Sequence, residues 1–161
     1  MTEPGPATHE RVFLVVVDDT PEMRVALRYA ARRAKNVNGR LVLLYVYEPT
    51  DRQHWMALES LMREETLEEA EKVMEGIAAE ASALTGARPV VYIREGHPRD
   101  ELLKLIDEDH SISILVLAIG TGEGGPGPLV SAMSGKDIAR LRVPVTFVPG
   151  SLSTADIDRL S

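Results

Sequence analysis

A glycine-rich segment from Gly120 to Pro128 is the part of this chain whose composition most directly suggests ligand binding. Five of its first eight residues are glycines, and it follows the uninterrupted apolar run at 114–119. Glycine allows a backbone to approach a ligand closely and to adopt positive φ angles. In α/β proteins such a loop, placed between a strand and a helix, commonly holds the phosphates of a nucleotide. The alternative is a flexible surface turn.

The glycine spacing departs from the two best-known phosphate-binding motifs. Gly120, Gly122 and Gly125 match the pattern G-x-G-x-x-G, but they follow the fourth predicted strand, whereas a dinucleotide site has them after the first. Pro126 occupies the position where a Walker A loop has lysine. Pro126 and Pro128 also lack the backbone N–H that a phosphate would use. The loop can hold an anion but is not built only for that purpose.

Asp18 and Asp19 end the first predicted strand and are the other candidates for ligand contact. Asp18 could accept a hydrogen bond from a ribose or an adenine, or could join Asp19 in holding a divalent cation. Alternatively, both carboxylates only cap the helix that follows. The four histidines show no metal-ligand spacing, and no nucleophile elbow is present. We therefore predict no catalytic residue and no metal site.

The composition limits the class of protein. A chain of 161 residues, 44% hydrophobic and 27% charged, is typical of one globular domain. Its net charge of −7 argues against sequence-independent binding to nucleic acid, and the lack of cysteines excludes disulfides and thiolate chemistry. The first ten residues contain no apolar signal-peptide core, and no apolar run approaches the roughly 18 residues of a membrane span. We therefore expect a cytoplasmic protein.

Apolar runs typical of buried strands alternate with amphipathic stretches typical of helices. The predicted strands occupy residues 12–17, 41–47, 90–93, 112–119 and 143–148. The first predicted helix has Thr20 as its N-cap and ends at Asn38-Gly39. A long helix ends at Thr85-Gly86, and shorter ones cover about 98–109, 129–141 and 154–160.

The long helix is predicted to bury one apolar stripe and to expose an acidic face. Glutamates dominate its outer side, which a solvated helix face explains more simply than a cation site does. The residues of the predicted stripe are Trp55, Leu58, Met62, Ala70, Val73, Ile77, Ala81 and Leu84.

Strands that alternate with helical crossovers form a parallel sheet with helices on both faces. The carboxyl ends of such strands share one edge, so Asp18, Val46 and Gly120 are expected to surround one crevice. The domain is predicted to span residues 11–150. A disordered segment at 1–10 precedes it, and a tail at 151–161 with a short helical turn follows it.

Five segments, taken in order, resemble the universal stress protein (UspA) family. The sequence at 94–98 is similar to the characteristic E-G-x-P segment of that family, and it runs into an amphipathic helix. The likeness spans roughly Arg11 to Pro149. The other four segments are Val15–Thr20, Leu43–Tyr47, Leu115–Gly120 with the loop after it, and Val143–Val148.

The resemblance implies a five-stranded parallel sheet of order 3-2-1-4-5, a Rossmann-like architecture of the adenine nucleotide alpha hydrolase-like type. It also implies a homodimer. Some family members bind ATP and others do not. The ATP-binding class carries glycine, two residues, glycine, nine residues, glycine, and then serine or threonine.

The ATP-binding pattern is altered in this chain. Gly122, Gly125 and Gly135 have the required spacing, but Lys136 replaces the hydroxyl residue. Counting back from the proline of strand five instead places the end of the motif near Ser131, with a shortened or rearranged loop. We favour the second register, since the closing helix then keeps its length.

These features predict a regulatory or chaperone-like stress-response module that binds an adenine nucleotide, ATP or AMP, with or without Mg²⁺. Asp18 and Val46 would lie near the base and ribose, and any ATP hydrolysis would be very weak. The residues expected near the phosphates are Gly120, Gly122, Gly125 and Ser131. Valine at Gly122 or Gly125 should then abolish binding and leave the fold intact.

Two other classes of protein are considered. One is a nucleotide-free dimeric interaction protein of the non-ATP-binding UspA class. The other, an adenylyl-transfer enzyme on a related fold, is disfavoured because no H-I-G-H-type sequence or catalytic cluster occurs.

Strand five is predicted to lie at a sheet edge, because its two prolines would disrupt a central strand. Its apolar residues Val143, Val145 and Phe147 are unsuited to an unprotected edge. Pairing with a second copy about a two-fold axis would cover them. In the alternative, the tail from Gly150 to Ser161 covers this edge within a monomer.

Overall fold

The computed structural model describes the backbone of residues 9–48 and 56–161, and the side chains of residues 9–48 and 64–161. The predictions for residues 1–8, and for Trp55, Leu58 and Met62 of the long helix, lie outside these described residues. The strands are β1 (Val12–Val17), β2 (Arg40–Tyr47), β3 (Val90–Glu95), β4 (Ile114–Ile119) and β5 (Val145–Pro149). The helices are α1 (Met23–Asn36), α2 (Met56–Thr85), α3 (Pro98–Glu108), α4 (Pro128–Ser134) and α5 (Thr154–Leu160).

The five strands form one parallel sheet in the order β3-β2-β1-β4-β5, which confirms the predicted fold class. β1 lies at the centre, where Val15 pairs with Leu43 of β2 on one side and with Val116 of β4 on the other. The chain passes from β1 to β2 in one direction and later returns to β4 in the other. The strand order therefore reverses between β1 and β4, the position where open α/β sheets bind ligands.

The two faces of the sheet bury separate apolar layers. Phe13, Val15 and Val17 of β1 pack with α1 and α2, whereas Val12 and Leu14 pack with α3 and α4. Successive strand residues point to opposite faces, so a continuous aliphatic run is needed when helices cover both. This arrangement makes the ends of the strands the accessible part of the sheet.

The start of α1 differs from the prediction. Thr20 was expected to be the N-cap, but the helix begins at Met23 and Glu22 precedes it in helical conformation. The Thr20 carbonyl accepts a hydrogen bond from the Met23 N–H, at 3.3 Å. A turn at residues 20–22 therefore precedes the helix, and it brings Glu22 close to the carboxyl end of β1.

The predicted helix at 129–141 is divided in the structure. α4 ends at Ser134, and a separate 3₁₀ turn covers Ile138–Arg140. Between them the side chain of Asp137 is only 2% exposed and receives two hydrogen bonds from Arg99 of α3, at 2.5 and 2.6 Å. These bonds lower the pKa of Asp137. α4 ends just before Gly135, and the turn that follows is held in place because Arg99, at the start of α3, binds the Asp137 carboxylate.

The apolar stripe of α2 is shifted by one residue near its middle. Val73 was predicted to be buried but is 44% exposed, while Met74 is buried beside Ile77 and Ala81. The buried residues Ala70, Met74, Ile77 and Ala81 keep the spacing of a regular helix, so this face includes Met74 and leaves the neighbouring Val73 at its exposed margin.

The tail after β5 packs on α1. Asp158 of α5 accepts hydrogen bonds from both Arg28 nitrogens, at 2.8 and 2.9 Å, and lies 3.1 Å from Arg32. Arg32 also donates to the Ser161 hydroxyl. Ser153 and Asp156 form a capping box at the start of this helix. The C-terminal segment is therefore a docked helix on the α1 side of the sheet.

Acid is expected to weaken the docking of α5. The hydrogen bonds from Arg28 lower the pKa of Asp158, so the ion pair stabilises the docked helix above the ordinary aspartate value, near pH 4. This stabilisation is lost as the pH falls through the lowered value. Amide chemical shifts of α5, followed from about pH 6 to about pH 2, should report the release. Asp158→Asn should weaken docking near neutral pH and remove this acid transition, whereas the exposed Asp107→Asn on α3 should keep it.

β5 lies at one end of the sheet, as predicted. The Leu115 N–H donates to Pro144 O and the Gly150 N–H donates to Ile119 O, so the even-numbered residues of this strand bond to β4. In a parallel strand the alternate residues direct their N–H and C=O groups the other way. Val145 and Phe147 therefore direct theirs towards the open edge. Val143 was predicted to belong to this edge, but it precedes β5 and is buried, at 8% exposed.

Within the part of the chain that the structure describes, no helix is both long and apolar enough to cross a membrane.

Candidate functional site

A crevice of about 240 Å³ opens at the carboxyl ends of β1 and β4. Its floor consists of residues 16–18 of β1 and residues 117–118 of β4, and Val46 of β2 forms one side. The crevice therefore lies where the strand order reverses. Its volume is slightly below the roughly 300–1,000 Å³ of most small-molecule sites. The other lining residues are Thr20, Glu22, Met23, Pro98, and the run from Pro126 to Val130.

Asp18 is oriented by the turn that precedes α1. Its Oδ1 accepts hydrogen bonds from the Thr20 backbone N–H, at 2.9 Å, and from the Thr20 hydroxyl. Asp18 therefore closes a turn ahead of α1 and does not cap the helix, whose N-cap residue Glu22 makes no side-chain capping bond. Asp18 also lines the crevice.

Glu22 is the residue of the crevice that the sequence analysis missed. It lines the crevice together with Asp18. A Cβ built on Gly120 would lie 3.1 Å from Oε1 of Glu22, and a Cβ built on Gly150 would lie 2.6 Å from the Cβ of Glu22. The Glu22 side chain therefore fits here because the residues after β4 and β5 are glycines, which leave the space that a side chain would fill.

The glycine loop closes on itself. The Gly120 N–H donates to Pro126 O at 3.0 Å, and the Gly125 N–H donates to Gly122 O at 3.2 Å. A Cβ on Gly120 would lie 2.5 Å from the carbonyl oxygen of Gly125, so this glycine is required for the close approach of the loop. Gly122 has nothing within 4 Å of a built Cβ. The loop packs first against its own backbone and presents its last residues to the crevice.

The predicted site residues divide into two groups. Asp18 and Val46 line the crevice, whereas Gly120, Gly122, Gly125 and Ser131 are not among its lining residues. Ser131 is exposed in the body of α4, where its N–H donates to Gly127 O at 3.0 Å. Neither counted register places a motif residue at the start of this helix, which begins at Pro128.

Gly127 and Pro128 hold the position at the start of α4. Gly127 is the N-cap residue with φ of +108°, a conformation that strongly favours glycine, and Pro128 is the first residue of the helix. Both line the crevice. The signal that could have found them was the Gly-Pro pair itself, since proline is common at the first helical position.

The charges around the crevice are negative. Among the lining residues, all of which lie in the described part of the chain, Asp18 and Glu22 are acidic and none is basic. Burial raises the pKa of Tyr45, on the neighbouring β2, and the charges of Asp19 and Glu69 raise it further. Arg99, which follows the lining residue Pro98, is bound by Asp137 and Asp100.

No group of three or more His, Cys, Asp or Glu side chains is arranged to hold a metal ion within the described residues. Asp18 and Asp19 thus do not form a metal site of that size with neighbours in this part of the structure.

The model of the universal stress protein family matches residues 10–149, which is most of the chain. The chain belongs to the universal stress protein family. No curated protein sequence matches this universal stress protein at a significant level.

Solved structures of other universal stress proteins have the same fold. UspA of Lactobacillus plantarum is 17% identical, with a TM-score of 0.69, and the match covers 88% of this chain and 99% of that one. A universal stress protein of Archaeoglobus fulgidus in complex with dAMP is 18% identical, with a TM-score of 0.59 and coverage of 88% and 99%. An Arabidopsis thaliana family protein with AMP bound is 16% identical, with a TM-score of 0.56 and coverage of 86% and 91%.

Proposed function

We propose that this universal stress protein is a regulatory module that binds an adenine nucleotide in the crevice between β1 and β4. The observation that carries the proposal is the crevice itself, an apolar pocket at the reversal of strand order with one oriented carboxylate, Asp18. Its position is the one at which open α/β sheets bind nucleotides. The bound dAMP and AMP in the Archaeoglobus fulgidus and Arabidopsis thaliana proteins support the same class of ligand.

The adenosine part of the ligand is assigned to the interior of the crevice. Val16, Val46 and Leu117 supply apolar surface for a base, and Asp18 Oδ2 would accept a hydrogen bond from a ribose hydroxyl or an adenine amine. The phosphate end would leave towards Gly127 and Pro128 at the start of α4. The function proposed is binding.

Asp18→Ala should weaken the binding of adenosine and AMP by about 1–3 kcal/mol, the range for a hydrogen bond to a charged group. Isothermal titration calorimetry on the purified full chain measures this change. Asp107→Asn, an exposed change on α3, serves as the control and should bind like the wild type. Equal affinity in the Asp18→Ala variant would remove the ligand from this crevice.

Mass spectrometry of small molecules released from the purified protein provides the direct test. Recovery of an adenine nucleotide supports the proposal. Its absence, together with no calorimetric signal at millimolar adenosine, AMP or ATP, would leave the second candidate.

The second candidate is a dimeric interaction protein that uses the open edge of β5. The observation that favours it is the outward direction of the N–H and C=O groups of Val145 and Phe147, which two antiparallel copies of this edge can satisfy. The tail was the alternative cover for this edge, but α5 packs on α1. Both side chains are only partly buried by the rest of this chain. A dimer is compatible with nucleotide binding, since the crevice lies elsewhere.

A further inference from the structure

The crevice has an unusual combination of features for a site that would bind a nucleoside triphosphate. A triphosphate carries several negative charges and requires N–H donors or cations at its end of the site. The part of the crevice near α4 is where such groups are needed. The loop between Gly120 and Pro128 and the turn before α1 form that part.

Four residues of the loop offer no free N–H donor to this region. The N–H groups of Gly120 and Gly125 are bound to carbonyls of the loop itself, at 3.0 and 3.2 Å. Pro126 and Pro128 line the crevice and have no N–H. These two prolines therefore contribute apolar rings, and no N–H donors, to the part of the crevice near α4.

The fixed charges oppose a polyanion. Glu22 is held beside Gly120 at the same end of the crevice, and Asp18 is a second carboxylate in its lining. Arg99 is the cation next in sequence to the lining residue Pro98. It already binds Asp137 through two nitrogens and Asp100 through the third, at 2.9 Å.

We propose that Glu22 makes the crevice selective against charge, so that it binds adenosine most tightly, a nucleoside monophosphate less tightly, and ATP least. This inference rests on the proposed function, because it ranks ligands of the same site. Like charges a few ångströms apart in a partly solvated site repel strongly enough to change an affinity about tenfold.

The test is a calorimetric ranking of adenosine, AMP and ATP on the full chain, without Mg²⁺ and at low ionic strength. We expect the affinity to fall by about tenfold or more from adenosine to ATP. Added salt should reduce this difference, because the repulsion is screened. Glu22→Gln should shrink the ratio of adenosine to ATP affinity by about tenfold. The matched control Glu71→Gln, on the exposed face of α2, should keep the wild-type ratio.

The outcomes separate this inference from the function on which it rests. If ATP binds as tightly as adenosine, or if Glu22→Gln leaves the ratio unchanged, the selection by charge is wrong and nucleotide binding stands. If none of the three ligands binds, both are wrong. Thermal unfolding of each variant confirms that a changed ratio comes from a folded protein.

Discussion

Gly120→Val is expected to lower the free energy of unfolding by about 2–4 kcal/mol, from overpacking and a lost backbone hydrogen bond. It should also abolish adenosine binding. The Cβ of the new side chain would lie 2.5 Å from the carbonyl oxygen of Gly125. This oxygen belongs to the backbone, so the clash cannot be relieved by a change of side-chain rotamer. The loop must move, and the bond from the Gly120 N–H to Pro126 O is then lost. Because Pro126 to Val130 form one wall of the crevice, this movement of the loop displaces the wall and disrupts the site.

Gly122→Val is the matched control within the same loop. A Cβ at Gly122 has nothing within 4 Å, and its φ lies outside the positive range, so the fold should be unchanged. The sequence alone predicted that this variant abolishes binding; since Gly122 does not line the crevice, we now expect adenosine to bind normally. Urea unfolding and calorimetry measure both variants. Equal behaviour of the two valines would show that the packing of the loop at Gly120 does not hold the crevice together.

Val145→Lys is expected to raise the dissociation constant of the proposed dimer by about 100-fold or more. An interface that pairs two β5 edges about a two-fold axis buries this residue in both copies, so the substitution places one ammonium group of each chain in a desolvated region. Sedimentation equilibrium at micromolar concentration measures the change. The wild type should have the mass of two chains and the variant the mass of one.

Val91→Lys provides the control at the other edge of the sheet. Val91 is also a partly buried valine of an edge strand, β3, and its replacement should leave the dimer intact. Circular dichroism of both variants verifies that the sheet has formed. A monomeric wild type, or two lysine variants that dissociate equally, would contradict the use of β5 as the interface.

The sequence determined the sheet and its order of elements. Runs such as Val12–Val17 have no polar residue, and a strand of this kind is stable only between two apolar layers. The segments between such runs have apolar residues at helical spacing, and strands that alternate with helices form a parallel sheet covered by helices on both faces. The carboxyl edge follows from the same pattern, which is why Asp18 and Val46 could be assigned to one crevice before the structure was known.

The remaining features of the site depended on contacts between distant parts of the chain. The predicted helix at 129–141 ends early, at Ser134, and Arg99 holds Asp137 of the following turn from a helix 38 residues earlier. Glu22 reaches the crevice because glycines at the ends of β4 and β5 leave space for it. Val143 resembles an edge residue in its sequence, yet it is buried because the chain packs it beneath α3 and α4 before β5 begins. Local spacing carries no information about which distant backbone will approach, and these positions were therefore decided by the tertiary structure.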